Sequence, residues 1–285
     1  MLVRSHVGPA GVRAVAVVMT LALLAGCRGA YGTRPDDPDR RGLLAAVAGT
    51  SADRDSVVGW IRDEYDRDKR YRGLLILLGS PAGSTPEALP LYRQAIEDAD
   101  PIVRSAAVRA LGRHGTPADV PTILAQLKPA GGTDDAEVPQ ALRWEVAQAL
   151  QRVHHTEAID ALVSLVDVQQ EPDADVRSAA AVALGQYSDS RAAGALIRAL
   201  DDTDLQVAVT AQRSLVTMLG IDRGLDAGAY SAALSQGADA YVYPNPFEYP
   251  AFRRSRLWYE WFYFWQSPPR ERPGVPTGML AQVEG

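Results

Sequence analysis

The stretch that most constrains this chain is Asp98-Ala-Asp-Pro-Ile-Val-Arg-Ser-Ala-Ala-Val-Arg-Ala-Leu-Gly112, which returns with variations along the middle of the sequence. Asp173-Ala-Asp-Val-Arg-Ser-Ala-Ala-Ala-Val-Ala-Leu-Gly185 repeats it nearly letter for letter, and looser copies run over 143–150 and 202–215. Setting Arg104, Arg143, Arg177 and Ala208 in one column leaves intervals of 39, 34 and 31 residues. Such a period marks helical units that stack because none can bury its apolar face alone. The expected fold class is all-α, and each residue of the unit has a structural task before any other.

Local chemistry agrees with the period. Asp100-Pro101 is a capping side chain followed by a proline, which a first helical turn tolerates, and Gly112 predicts where that helix ends. Val103, Ala106, Ala107, Ala110 and Leu111 recur at three and four residues, a stripe of small side chains that lets helices approach closely. A second helix over 118–127 carries Val120, Ile123, Leu124 and Leu127 inward. The pairing is read again at 142–153 with 157–166 and at 174–184 with 191–200, and 205–219 opens the next unit. Residues 129–137 read as an inserted loop. Upstream, 56–65 reads as a helix with Val57, Trp60 and Ile61 on one face and Tyr65 following, and 70–79 as a buried one. Residues 81–85 read as a loop. Thr85-Pro86 reads as the cap of a helix over 87–99, whose start Pro90 can move. A short helix is expected over 227–234.

The unit, with its Asp, Val-Arg, Ala-Ala and Ala-Leu-Gly, resembles the HEAT repeat, in the short form also found in bilin-lyase-type proteins. The resemblance covers about residues 50–220 and is most specific at 98–127 and 173–200. Gln151 stands where the unit has its closing glycine, Ala208 where it has arginine and Val216 where it has glycine. The resemblance implies a HEAT-like α-solenoid, a right-handed superhelix of helix pairs whose concave face binds protein partners. It implies a non-catalytic interaction scaffold or assembly factor, with no cofactor and no metal. The alternative is a ligand-handling or chaperone-like protein using an aromatic-lined groove, and a bilin-lyase-like enzyme comes third.

Residues 1–26 carry Arg4 and Arg13 and no acid, and an apolar run over 15–24 is broken only by Thr20. That run is shorter than the ~20 residues a bilayer span needs, so it reads as a secretory signal. Its close, Leu24-Ala25-Gly26-Cys27, resembles the lipobox of bacterial lipoproteins, which implies lipidation of Cys27, the chain's one cysteine. The expected location is the bacterial cell envelope, lipid-anchored at the outer membrane or the periplasmic face of the inner membrane. The net charge is −6, and losing the two arginines of 1–26 makes it −8, which disfavours nucleic acid as a partner. The expected division is a signal peptide over 1–26, a lipidated cysteine and flexible tether over 27–42, and a solenoid over 43–220. A helical and aromatic segment over 221–267 and a flexible tail over 268–285 follow.

Residues 241–265 hold 12 of the chain's 20 aromatic side chains, every phenylalanine among them. Tyr249, Phe252, Trp258, Trp261, Phe262 and Trp265 are its candidate capping or partner-binding residues. The segment could cap the last repeat, dock an envelope protein or lie in a membrane interface. Arg104, Arg143 and Arg177 suit a structural ladder in which each meets a turn carboxylate such as Asp100 or Asp173; an anion-binding groove is the alternative. His114, His154 and His155 read as surface turn residues without the converging ligands of a metal site. Asp98, Asp100, Asp201 and Asp202 read as capping acids, and no nucleophile or phosphate-loop motif accompanies them.

Overall fold

The structure, a computed structural model, describes residues 51–129 and 137–235. Within them the regular structure is entirely helical. In chain order the α-helices are α1 (Ser51–Ile61), α2 (Arg67–Gly79), α3 (Leu89–Ala95), α4 (Pro101–His114), α5 (Val120–Ala125), α6 (Gln140–Leu150), α7 (Ala158–Val166), α8 (Ala174–Leu184), α9 (Ser190–Ala199), α10 (Leu205–Leu219) and α11 (Ala227–Ser235). Short 3-10 turns, Pro81–Ser84 and Pro117–Asp119, precede α3 and α5.

The helices alternate between two layers. In one, α2, α4, α6, α8 and α10 pack each on the next; in the other, α5, α7, α9 and α11 do the same. This is an α-solenoid of HEAT-like helix pairs. The core runs between the layers, from Val57 to Tyr230, and is built of alanine, valine and leucine. Three tyrosines are its largest fully buried side chains among the described residues, anchored by their hydroxyls. Tyr92 donates to Gly83 O (3.2 Å), Tyr187 accepts from His155 N (3.4 Å), and Tyr230 accepts from Arg223 N (3.1 Å). Burial pushes the Tyr187 hydroxyl up to about 12, so it stays protonated.

Capping fixes where the first-layer helices start. Asp66, Asp100, Asp173 and Asp204 accept hydrogen bonds from amides of the first turns of α2, α4, α8 and α10. Pro139 takes that place before α6, without a side-chain cap. Gly220, at φ 71°, ends α10 in the left-handed conformation that glycine adopts without strain.

Several boundaries differ from the sequence expectation. The helix expected to end at Gly112 continues to His114, because Gly112 serves packing: a Cβ there would lie 2.7 Å from Ala149 Cα on α6. The Gly115 amide closes the helix on Leu111 O (2.7 Å). Thr85 caps nothing. Its hydroxyl donates to Ala82 O (2.9 Å), and α3 begins at Leu89 with Pro90 in its first turn. The helix expected over 56–65 stops at Ile61. There the Asp63 carboxylate turns the chain by accepting from Tyr65 N and Asp66 N, and Tyr65 is left 96% exposed.

Candidate functional site

Each ladder arginine lies one turn inside a first-layer helix, so its guanidinium reaches back past the helix start and, in every case but Arg104, across to the next unit. Arg177 donates through Nη1 to Glu171 O and Pro172 O, and through Nε and Nη2 to the two Asp202 oxygens (2.8 and 2.9 Å). Arg143 bonds Val138 O and forks onto Glu171 (2.7 and 3.0 Å). Arg70 bonds Asp63 O and forks onto Asp98 (2.6 and 3.0 Å). Arg104 bonds Asp98 O and Ala99 O and, among the described residues, makes no fork: the corresponding acid before α6, Glu137, is exposed and lies 3.6 Å from Arg143 Nη1 instead. The carboxylates that meet these arginines are therefore not Asp100 and Asp173. They belong to the following unit, two residues before its cap.

Each of those acids has a second duty. Asp98, Glu171 and Asp202 also accept from the amides of Asp100, Asp173 and Asp204, the capping residues themselves. One guanidinium thus fixes the helix it grows from and the entry to the next. The hydrogen bonds to Asp202 and Glu171 raise the pKa of Arg177 and Arg143 above the ordinary arginine value. With their donors held in forked pairs and side chains only 4% and 13% exposed, these two are unsuited to recruiting an anion.

At His154 the structure departs from the expectation of a surface turn residue, whereas the His155 side chain is 38% exposed. His154 faces inward, with Nε2 against Gln151 O and the Gln186 amide oxygen. Burial lowers its pKa, outweighing those two bonds, which favour the charged form. Gln151, in the glycine position of its unit, is fully buried and donates to Ala179 O on α8 (3.1 Å). Among the described residues no group of three or more His, Cys, Asp or Glu side chains could hold a metal ion.

The first layer also carries an open cleft of about 540 Å³. Tyr71 of α2 and Trp144 of α6 line it, with Ser105 and Ala106 of α4 between them, and Glu145 and Asp175 contribute carboxylates. Arg109 donates to Glu145 Oε1 through Nε (2.9 Å) and through Nη2. The Glu145 side chain is only 6% exposed, Arg109 is half exposed, and the bond to Glu145 raises the Arg109 pKa. Sequence reasoning missed this cleft. The signal was present in the register: the residue after each aligned arginine reads Tyr71, Ser105, Trp144, Ser178, Val209, so a small side chain sits between two large ones.

Cys27 and the aromatic residues Tyr249, Phe252, Trp258, Trp261, Phe262 and Trp265 lie outside the described residues, as does the lipobox-like segment. No helix among the described residues is long and apolar enough to cross a membrane.

A family model for HEAT repeats matches residues 55–138 and 133–216. No curated protein matches the chain. Among solved structures, the complex of CpcE and CpcF of phycocyanin lyase from Nostoc sp. PCC7120 is similar at 21% identity and a TM-score of 0.45, over 67% of this chain and 79% of that one. An engineered protein is similar at 19% identity and a TM-score of 0.43, over 64% of this chain and 88% of its own. The lyase corrects the expectation of a non-catalytic chain. That structure is of an enzyme complex, and a fold does not decide whether chemistry is carried on it.

Proposed function

The chain belongs to the HEAT-repeat family, and from that premise we propose that it is a helical-repeat scaffold for protein partners, held at a bacterial membrane through lipidated Cys27. The observation that carries the scaffold reading is the division of labour in the first layer. Its recurrent charges are engaged in joining units, while the cleft between Tyr71 and Trp144 is left open on the same layer. A stack of this kind offers a surface set by unit register, on which side chains at one column face a partner together. What supports the envelope location is the sequence Leu24-Ala25-Gly26-Cys27 behind a short apolar run, with the proline- and charge-rich stretch 28–42 as tether.

Two measurements test the proposal. Palmitate labelling of the full-length chain in a bacterial host should mark it, and Cys27→Ala should remove the label and release the chain from membranes. A photo-crosslinker placed at Ser105 should give one discrete adduct in native membranes, and the same group at exposed Arg198, in the second layer, should not. An unlabelled chain overturns the anchor; equal adducts from both positions overturn the surface.

A further inference from the structure

The cleft between Tyr71 and Trp144 has a composition that selects among partners. The column after the ladder arginines is half-buried in every unit, so these side chains form the layer's outer line. At Tyr71, Ser105 and Trp144 that line reads large, small, large, and α4 packs between α2 and α6, which puts an aromatic wall on either side of a shallow floor.

The charges are unbalanced. Both Arg109 donors go to Glu145 Oε1, so Oε2 has no hydrogen bond among the described residues although the side chain is more than nine-tenths buried. Asp175, also on the cleft, is exposed and its carboxylate has no hydrogen bond or ion pair among the described residues. Two carboxylates therefore face one guanidinium, and that guanidinium is already paired. Such a site is wrong for phosphate or a carboxylate ligand, whose only cation here is taken. Aromatic faces beside an under-used carboxylate attract a cation.

Resting on the scaffold reading, we propose that this cleft receives an arginine side chain of a partner polypeptide. Its planar, weakly hydrated guanidinium lies against the Trp144 and Tyr71 rings and donates to Glu145 Oε2 and Asp175. Lysine fits less well, because its compact ammonium is strongly hydrated and cannot stack. The volume, within the about 300–1,000 Å³ of ordinary binding pockets, admits the side chain with peptide on either side.

The test uses the full chain labelled with 5-fluorotryptophan, in which the Trp144 fluorine signal is assigned by its loss in Trp144→Phe. The probe is acetyl-Gly-Arg-Gly-amide, with lysine, citrulline and leucine counterparts. The expected result is a saturable shift of the Trp144 signal with a Kd on the order of millimolar, at least about fivefold weaker with citrulline. Asp175→Asn, at an exposed position that leaves the fold intact, should weaken binding about three- to tenfold, and Tyr71→Leu similarly. Equal binding of the leucine or citrulline peptide overturns the assignment in favour of an apolar occupant. No shift up to about 50 mM overturns it outright. If the peptide fails while the Ser105 crosslinker still gives its discrete adduct, the scaffold reading stands and the arginine assignment falls.

Discussion

Two kinds of junction hold the first-layer helices side by side. Between α4 and α6, and again between α8 and α10, a glycine makes the contact: a Cβ on Gly112 would lie 2.7 Å from Ala149 Cα and Cβ, and one on Gly185 2.7 Å from Ser214 Cβ. Between α6 and α8 the same position is Gln151, buried and bonded by its amide to Ala179 O. The first solution removes a side chain so that two backbones can touch. The second inserts a polar one and satisfies its donor on the neighbouring helix, leaving the Oε1 acceptor buried without a partner. The cost of the second is that polar chemistry enters the interior, since Gln186 and His154 gather at the same junction. What the α6–α8 and α8–α10 junctions share is the arginine fork, Arg143 onto Glu171 and Arg177 onto Asp202, present however the helices meet.

The largest effect should come from breaking what is shared. Arg177→Met leaves Asp202, about 1% exposed, as a buried unpaired charge, and should lower stability by about 3–5 kcal/mol in urea unfolding. A loss below about 1 kcal/mol would mean that the fork is not structural. Next comes the glycine junction. Gly112→Val should cost about 1–3 kcal/mol, because the added atoms meet backbone on α6 rather than a movable side-chain end. Importing glycine to the other junction should not imitate it. Gln151→Gly loses a buried bond and leaves a void, so about 1–2 kcal/mol should be lost and none gained.

Acid should separate the junctions further. The pKa of folded His154 lies below its ordinary value of 6.5, so the unfolded chain takes up the proton first. The stability linked to this group is present above pH 6.5 and is lost as pH falls through the folded value. The melting temperature should therefore drop on acidification below 6.5, with a shallower slope in His154→Gln. An unchanged slope would place the titration elsewhere. The smallest effect is expected at Arg191, whose bonds to Asp189 and Asp160 lie at the exposed edge of the second layer. Arg191→Gln should leave the melting temperature unchanged.

The period and the capping acids made the two-layer stack legible, because Asp100, Asp173 and Asp204 mark helix starts by chemistry that acts within a few residues. What was not legible acts across units. Gly112 reads as a helix terminus until Ala149 is placed against it. Asp202 reads as one more turn acid until Arg177 is seen to reach it from 25 positions away. His154 looked like a turn residue because nothing in the adjacent sequence announces Gln186 as its neighbour. The cleft was half legible: the column of Tyr71, Ser105 and Trp144 follows from alignment alone, whereas the Arg109–Glu145 pair that sets its charge joins two different units.

The direction of the forks has a consequence for how the chain is made. Arg70, Arg143 and Arg177 each reach towards the C-terminus, to an acid that is synthesised later. A nascent α8 cannot neutralise its buried guanidinium until Asp202 has emerged. Each of these forks is therefore completed only when the chain has grown a further 25–28 residues, and a chain arrested before residue 202 leaves the Arg177 edge unsealed. In α10, the last first-layer helix among the described residues, the corresponding position is Ala208, so this helix waits for no later acid.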